Sequence, residues 1–132
     1  MKSRKTIFLT GATGFLGSYL LKSLIDRDHQ VFALAKNKED KSAKRRVFDL
    51  LEFWDEKFKK QRVKNLTVVE GDVTMPGLGL SKEDSEKVIA DSEVIFHSAA
   101  LAELKAPLKI IRKVNVEGTK QVLNLASQCK KL

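Results

Sequence analysis

Cysteine is almost absent from these 132 residues, and no uncharged apolar run is long enough to span a bilayer. A lone Cys129 cannot close an internal disulfide, which predicts a reducing, cytoplasmic setting. The opening Met1-Lys2-Ser3-Arg4-Lys5, with an uncharged stretch to Leu21, has the outline of a secretory signal. Glycines occupy the place of its apolar core and no small-residue cleavage site follows, so no signal is expected. Clusters of His, Cys and carboxylates at ligand spacing are also missing, and no metal site is expected. With 42% apolar and 32% charged residues and no low-complexity segment, the composition is that of one globular domain. At this length it can build a core but is short for an enzyme on a dinucleotide-binding fold.

The net charge of +8 raises nucleic-acid binding, and its distribution argues against it. Basic residues gather at 36–46 and 57–64, with Asp49, Glu52, Asp55 and Glu56 between them. A nucleic-acid stripe would run unbroken along one face with stacking aromatics. No nucleic-acid partner is expected.

What the chain does have is Thr10-Gly11-Ala12-Thr13-Gly14-Phe15-Leu16-Gly17, between the apolar run Ile7-Phe8-Leu9 and an apolar helical stretch with Tyr19, Leu20 and Leu24. Strand, glycine turn and helix in that order make a phosphate cradle, because the helix start presents free N–H groups and a positive dipole end. Gly11 makes the turn, Gly14 admits a pyrophosphate to the main chain, and Gly17 brings helix and sheet together. Thr13, Phe15 and Leu16, inside the same turn, complete the candidate set. The spacing predicts a dinucleotide site; the alternative is a glycine-rich turn without a ligand.

Strands are expected at 5–10, 31–35, 66–69 and 94–100, alternating with helices at 14–27, from Asp40 or Ser42 to about 62, from Ser81 to about 90, and from about Asn115. In the second helix Val47, Leu50, Leu51, Trp54 and Phe58 form one core-facing stripe, which makes Trp54 a core residue, with Phe48 and Phe53 off it. Pro107 falls in an irregular stretch, and His29 reads as a solvated turn residue without a partner. Strands alternating with helices predict an α/β, Rossmann-like, doubly wound parallel sheet of strand order 3-2-1-4. It would be a single incomplete domain over 1–132, ending after about four strands.

The end of the second strand is where nicotinamide dinucleotides are distinguished: an acid there holds ribose hydroxyls, and a base accepts an added phosphate. Here the strand ends Ala35-Lys36-Asn37, and the next helix opens with Lys44, Arg45 and Arg46. Exposed cations at a helix start are unfavourable by about 0.3–1 kcal/mol each, a sign that a bound anion reverses. The favoured reading is a 2′-phosphate site at Lys36 and Arg46, hence NADP(H); the alternative is a solvated basic face. Asp72, with the N–H of Val73, would flank the adenine, unless it only satisfies its own turn. Ser98, Ala99 and Ala100 leave room for the dinucleotide. His97 reads as a hydrogen-bonded core residue.

Residues 10–17, with Gly71-Asp72-Val73, His97-Ser98-Ala99-Ala100 and Asn115-Val116-Glu117-Gly118-Thr119, resemble the extended short-chain dehydrogenase/reductase family. The long second helix and the Pro76-Gly77-Leu78-Gly79-Leu80-Ser81 loop resemble one branch of it: terminal thioester reductase domains of peptide and polyketide synthases, carboxylic acid reductases and fatty acyl reductases. The resemblance implies pyrophosphate at Gly11, Gly14 and Gly17, 2′-phosphate at Lys36 and Arg46, adenine at Asp72 and Val73, and the family's helix asparagine at Asn115. It further implies NADPH-dependent reduction of a CoA- or carrier-protein-bound acyl thioester to an aldehyde or alcohol.

The family's catalytic Ser or Thr, and its Tyr with a Lys four residues on, have no counterpart. The only tyrosine is Tyr19, with Ser23 four residues later. No catalytic residue is therefore assigned, and the chain alone is expected to be inactive. The alternatives are a non-catalytic NADP-binding or interaction module, or part of a sugar-nucleotide epimerase or dehydratase. A fourth strand without a fifth beside it predicts a homodimer through that edge, and Val122, Leu125 or Cys129 partly bare on the last helix.

Overall fold

The computed structural model describes residues 3–60 and 62–132. Four parallel strands, β1 (Thr6–Thr10), β2 (Gln30–Ala35), β3 (Leu66–Glu70) and β4 (Val94–His97), form one sheet of order β3-β2-β1-β4. That is the order expected. Helices α1 (Phe15–Asp26) and α2 (Ala43–Trp54) cover one face, where Leu21, Leu24, Val47 and Leu51 pack on Ile7, Leu9, Val31 and Ala33. The opposite face carries Phe8, Phe32 and Val69 under α3 (Lys82–Asp91) and α5 (Gly118–Ala126), reached through α4 (Leu108–Arg112). Two covered faces explain why β1 and β2 are continuously apolar.

Several expectations are corrected. The second helix does not continue to 62 but ends at Trp54, and a single 3-10 turn follows at Glu56–Lys59. Asp55 is extended and its carboxylate accepts the Lys57 N–H at 3.0 Å, so it starts a new turn rather than continuing the old one. Position 61 lies outside the described residues.

Phe58 stays buried after this break, but Trp54 is not core. It lies half-buried between α1 and α2, donates to Ser18 Oγ at 2.9 Å, and meets Phe15, Tyr19 and Phe53 edge-on at 5.1–5.5 Å between ring centres. Phe48 packs against the first core and Phe53 is exposed. His29 has a partner after all, since its Nδ1 accepts the Lys5 N–H at 3.1 Å.

The last helix starts earlier than expected, at Leu108, because Pro107 serves as its cap rather than as a breaker. It runs through a wide π turn at Lys113–Glu117 into α5. Val122, Leu125 and Cys129 are buried against Phe8, Val73 and Val88, not partly bare. The second sheet face covers them whatever lies beside β4.

Candidate dinucleotide site

An open cavity of about 280 Å³ lies at the carboxyl edge of the sheet, between the β1–α1 turn and the ends of β2, β3 and β4. The turn dictates its floor. Gly11 has φ 76°, a left-handed conformation, and a Cβ there would stand 2.6 Å from the Ala99 nitrogen. A Cβ on Gly17 would overlap the Gly11 carbonyl. Gly14 is the extended N-cap of α1 and offers no side-chain cap, and no acid stands in the first turn. The helix start is thus left with N–H groups and dipole uncompensated, as an anion requires.

Of the candidate residues, Gly11, Thr13, Gly14, Lys36, Asp72, Val73, Ser98, Ala99 and Ala100 line this cavity. Gly17 lies behind its floor. Phe15 and Leu16, at 82% and 68% exposure, turn to solvent, where only their backbone N–H groups serve the helix start. Arg46 stands at the rim: its guanidinium donates to the Lys36 carbonyl at 2.6 Å and to Thr13 Oγ1 at 3.4 Å. It thereby ties the end of β2 to the cradle. Arg45, by contrast, is spent on Asp49 and Glu52 at 2.7 and 2.9 Å.

Asp72 is both a turn residue and a cavity residue. Its Oδ1 accepts the Thr74 N–H and hydroxyl at 2.9 and 2.8 Å, while Oδ2 faces Lys36 Nζ at 4.0 Å. Burial opposes its charge, but the Thr74 hydrogen bonds and the Lys36 and Lys113 charges outweigh it and hold the carboxyl below its ordinary range. The Asp72 N–H is taken by the Leu78 carbonyl at 2.8 Å; the Val73 N–H has no partner among the described residues. Leu78 reaches its place through a left-handed backbone (φ 59°), held by complete burial of its side chain.

Asn115 does not line the cavity. The π turn aims it at the loop after β4, where its amide pairs with both backbone groups of Leu101 at 2.8 and 3.0 Å.

His97 is the hydrogen-bonded residue expected, and its partners fix its proton. Thr10 Oγ1 receives the N–H groups of Ser98 and Ala99 at 3.1 and 3.2 Å, so its own hydrogen goes to His97 Nδ1 at 2.6 Å. Thr119 donates to the Asn115 carbonyl at 2.6 Å, so at 3.1 Å it accepts from His97 Nε2. Both ends demand the neutral Nε2–H imidazole, and burial lowers the pKa from its ordinary 6.5. This chain of bonds holds the Ser98–Ala99 wall against Gly11.

Sequence reasoning missed Thr10 and Thr119 in this role, and Leu34, Ala35, Gly71, Thr74 and Val114 as lining. The last residue of an apolar strand was the available signal for Ala35; none existed for Val114.

No helix among the described residues is long and apolar enough to cross a membrane, and no His, Cys, Asp and Glu cluster among them could hold a metal ion. A family model described as male sterility protein, an NAD-binding domain, matches residues 9–132. The chain is 34% identical to the fatty acyl-CoA reductase wat of Drosophila melanogaster over 132 residues, covering 94% of this chain and 25% of that protein. It is 37% identical to a linear gramicidin synthase of Brevibacillus parabrevis over 123 residues, which is 90% of this chain and 2% of the synthase. Among solved structures, the terminal R domain of the myxalamid PKS-NRPS pathway superimposes with a TM-score of 0.80 at 33% identity, over 98% of this chain and 33% of that one. The chain therefore spans about a third or less of these relatives. With its cradle and its match from the first strand to the last residue, it belongs to the male sterility family of NAD(P)-binding, Rossmann-like reductase domains.

Proposed function

We propose that this chain is the NADP-binding portion of a thioester-reductase-type oxidoreductase that reduces a CoA- or carrier-protein-bound acyl thioester to an aldehyde or alcohol. The observation that carries the cofactor choice is Arg46 bridging the Lys36 carbonyl and Thr13 Oγ1, with the Lys36 side chain lining the same cavity, so that two cations stand at the β2 end of the site. In this reading the main chain of 11–17 holds the pyrophosphate, Lys36 and Arg46 the 2′-phosphate, and Asp72 with the free Val73 N–H the adenine. Asn115 acts through the Leu101 loop. The bound dinucleotide supplies the hydride. Tyr19 packs on Trp54 at the outer surface of α1, away from the cavity, and is not placed to protonate the carbonyl oxygen.

Titration calorimetry tests the cofactor choice. NADP binds more tightly than NAD, and Lys36→Glu narrows or inverts the preference; NAD binding as tightly overturns the assignment. In an assay of NADPH oxidation with an acyl thioester, the isolated chain gives no turnover above the blank.

A second copy of the chain is the proposed partner at β4. The Glu93 N–H donates to the Thr6 carbonyl at 2.9 Å, so strand alternation turns the main-chain groups of Val94 and Phe96 away from β1. Phe96 is 39% exposed. Light scattering behind a sizing column reads a dimer, which Phe96→Pro dissociates; a strict monomer at high concentration removes this partner. The free buried thiol of Cys129 supports a cytoplasmic location, which cell fractionation checks.

A further inference from the structure

The basic cluster at 57–64 has no part in the dinucleotide site, and it leads into the outer strand at the other edge of the sheet. Among the described residues β3 pairs only with β2. The Val31 N–H donates to the Asn65 carbonyl and the Gly71 N–H to the Ala35 carbonyl, each at 2.9 Å. Parallel pairing alternates, so the main-chain groups of 65, 67, 69 and 71 serve β2 while those of Leu66, Val68 and Glu70 point outward.

Beside this open ladder runs a groove of about 640 Å³, floored by Phe48, Val63 and Val68 and rimmed by Lys44, Arg62 and Lys64. No acid lines it. Nearby, Lys41 and Arg45 pair with Asp49, and Lys57 with Asp26. Lys44, Arg62 and Lys64 make no ion pair among the described residues. An apolar floor, a row of unpaired backbone groups and three uncompensated charges meet in one place.

We propose that the β3 edge is a docking site for an acidic, extended peptide segment of a protein partner. The segment adds as a further strand on β3, with alternate carboxylates on the groove side facing Lys44, Arg62 and Lys64 and the intervening apolar side chains on the opposite face of the sheet. The free backbone groups favour a peptide over a nucleic acid or a lipid surface, neither of which can complete a ladder. Cations also keep an edge from pairing with its own copies, so selectivity for acidic strands and refusal of other strands come from the same residues.

The probe is a fluorescein-labelled hexapeptide alternating aspartate and valine, titrated into the whole chain and followed by anisotropy. It is expected to bind at least tenfold more tightly than a peptide of the same composition with its aspartates in one block. N-methylation of alternate amides in the probe should abolish binding in one register and spare it in the other. Lys44→Glu with Lys64→Glu should weaken binding at least tenfold. Val68→Pro should do the same, since it removes an outward N–H and no bond to β2. Saturating NADP should not compete. Equal binding of the block peptide, or indifference to both N-methylated probes, reduces the effect to charge alone and overturns the proposal. Tighter binding of single-stranded DNA or of phosphatidylserine vesicles than of the alternating probe overturns it as well. Because the N-methylated probes use the unmodified protein, misfolding of a variant leaves the test intact.

Discussion

At the β1–α1 end of the cavity the groups open to a ligand are main-chain N–H groups, fixed by Gly11, Gly14 and Gly17; at the β2 end the polar groups are the cationic side chains of Lys36 and Arg46. The first set has no rotamers to lose and is walled by Ser98 and Ala99. The second is solvated, with the Lys36 side chain 61% exposed, and an ordering cost accompanies whatever it binds. A backbone site is strong and intolerant of change. A side-chain site is weaker per group and easily retuned, which suits it to discriminating between two cofactors.

The largest effect expected from breaking the first set is at Gly17. Its Cβ would overlap the Gly11 carbonyl, a backbone atom that cannot turn aside. Gly17→Ala should cost more than the ~1–3 kcal/mol of ordinary overpacking. Chemical denaturation reads this, and calorimetry should detect no dinucleotide binding.

Gly11→Ala comes next: a left-handed φ of 76° is strained for any side chain, and its Cβ meets the wall after β4. A loss of about 1–3 kcal/mol is expected from the backbone conformation, with binding reduced at least tenfold.

The wall itself is tested at His97. Because burial lowers its pKa in the folded protein, the unfolded chain takes up a proton first as the pH falls. Stability should therefore decline below about pH 6.5 and level off once the folded imidazole also protonates. The carboxylates held low, Asp26, Asp49, Asp72, Glu83 and Glu93, start from ordinary values of 3.8 or 4.5, so their losses begin at lower pH. His97→Asn should remove the decline between pH 6.5 and 5 in urea melts, at a constant cost of about 1 kcal/mol for the lost bond to Thr119. A slope unchanged in the variant would assign it to another group.

The smallest effect belongs to the side-chain end. Arg46→Ala should leave folding nearly intact and lower NADP affinity several-fold while changing NAD affinity little. An equal loss for both cofactors would make Arg46 a scaffold for Lys36 rather than a phosphate ligand.

Much of this was legible in the chain. Gly11, Gly14 and Gly17 are local chemistry: only a strand, a tight turn and a helix start use glycines at that spacing. The lining residues Asp72, Val73 and 98–100 were legible for a related reason, since parallel strands must all end on the same side. The misreadings occurred where one side chain's partner decides the outcome. Asp55 caps a new turn, Pro107 begins a helix instead of preceding it, and Trp54 settles on Ser18 among exposed aromatics.

The sequence by itself determined the strand order, the phosphate turn and the basic end of β2, because these follow from hydrophobic period, glycine placement and charge along short stretches. Tertiary structure alone decided that Thr10, His97 and Thr119 form one ordered chain of hydrogen bonds, that Asn115 holds Leu101, and that Arg46 reaches Thr13. Thr10 and His97 are 87 residues apart in the chain and become neighbours only where β1 and β4 pair. A hydrogen bond depends on distances of a few tenths of an ångström, and no periodicity in a sequence encodes those.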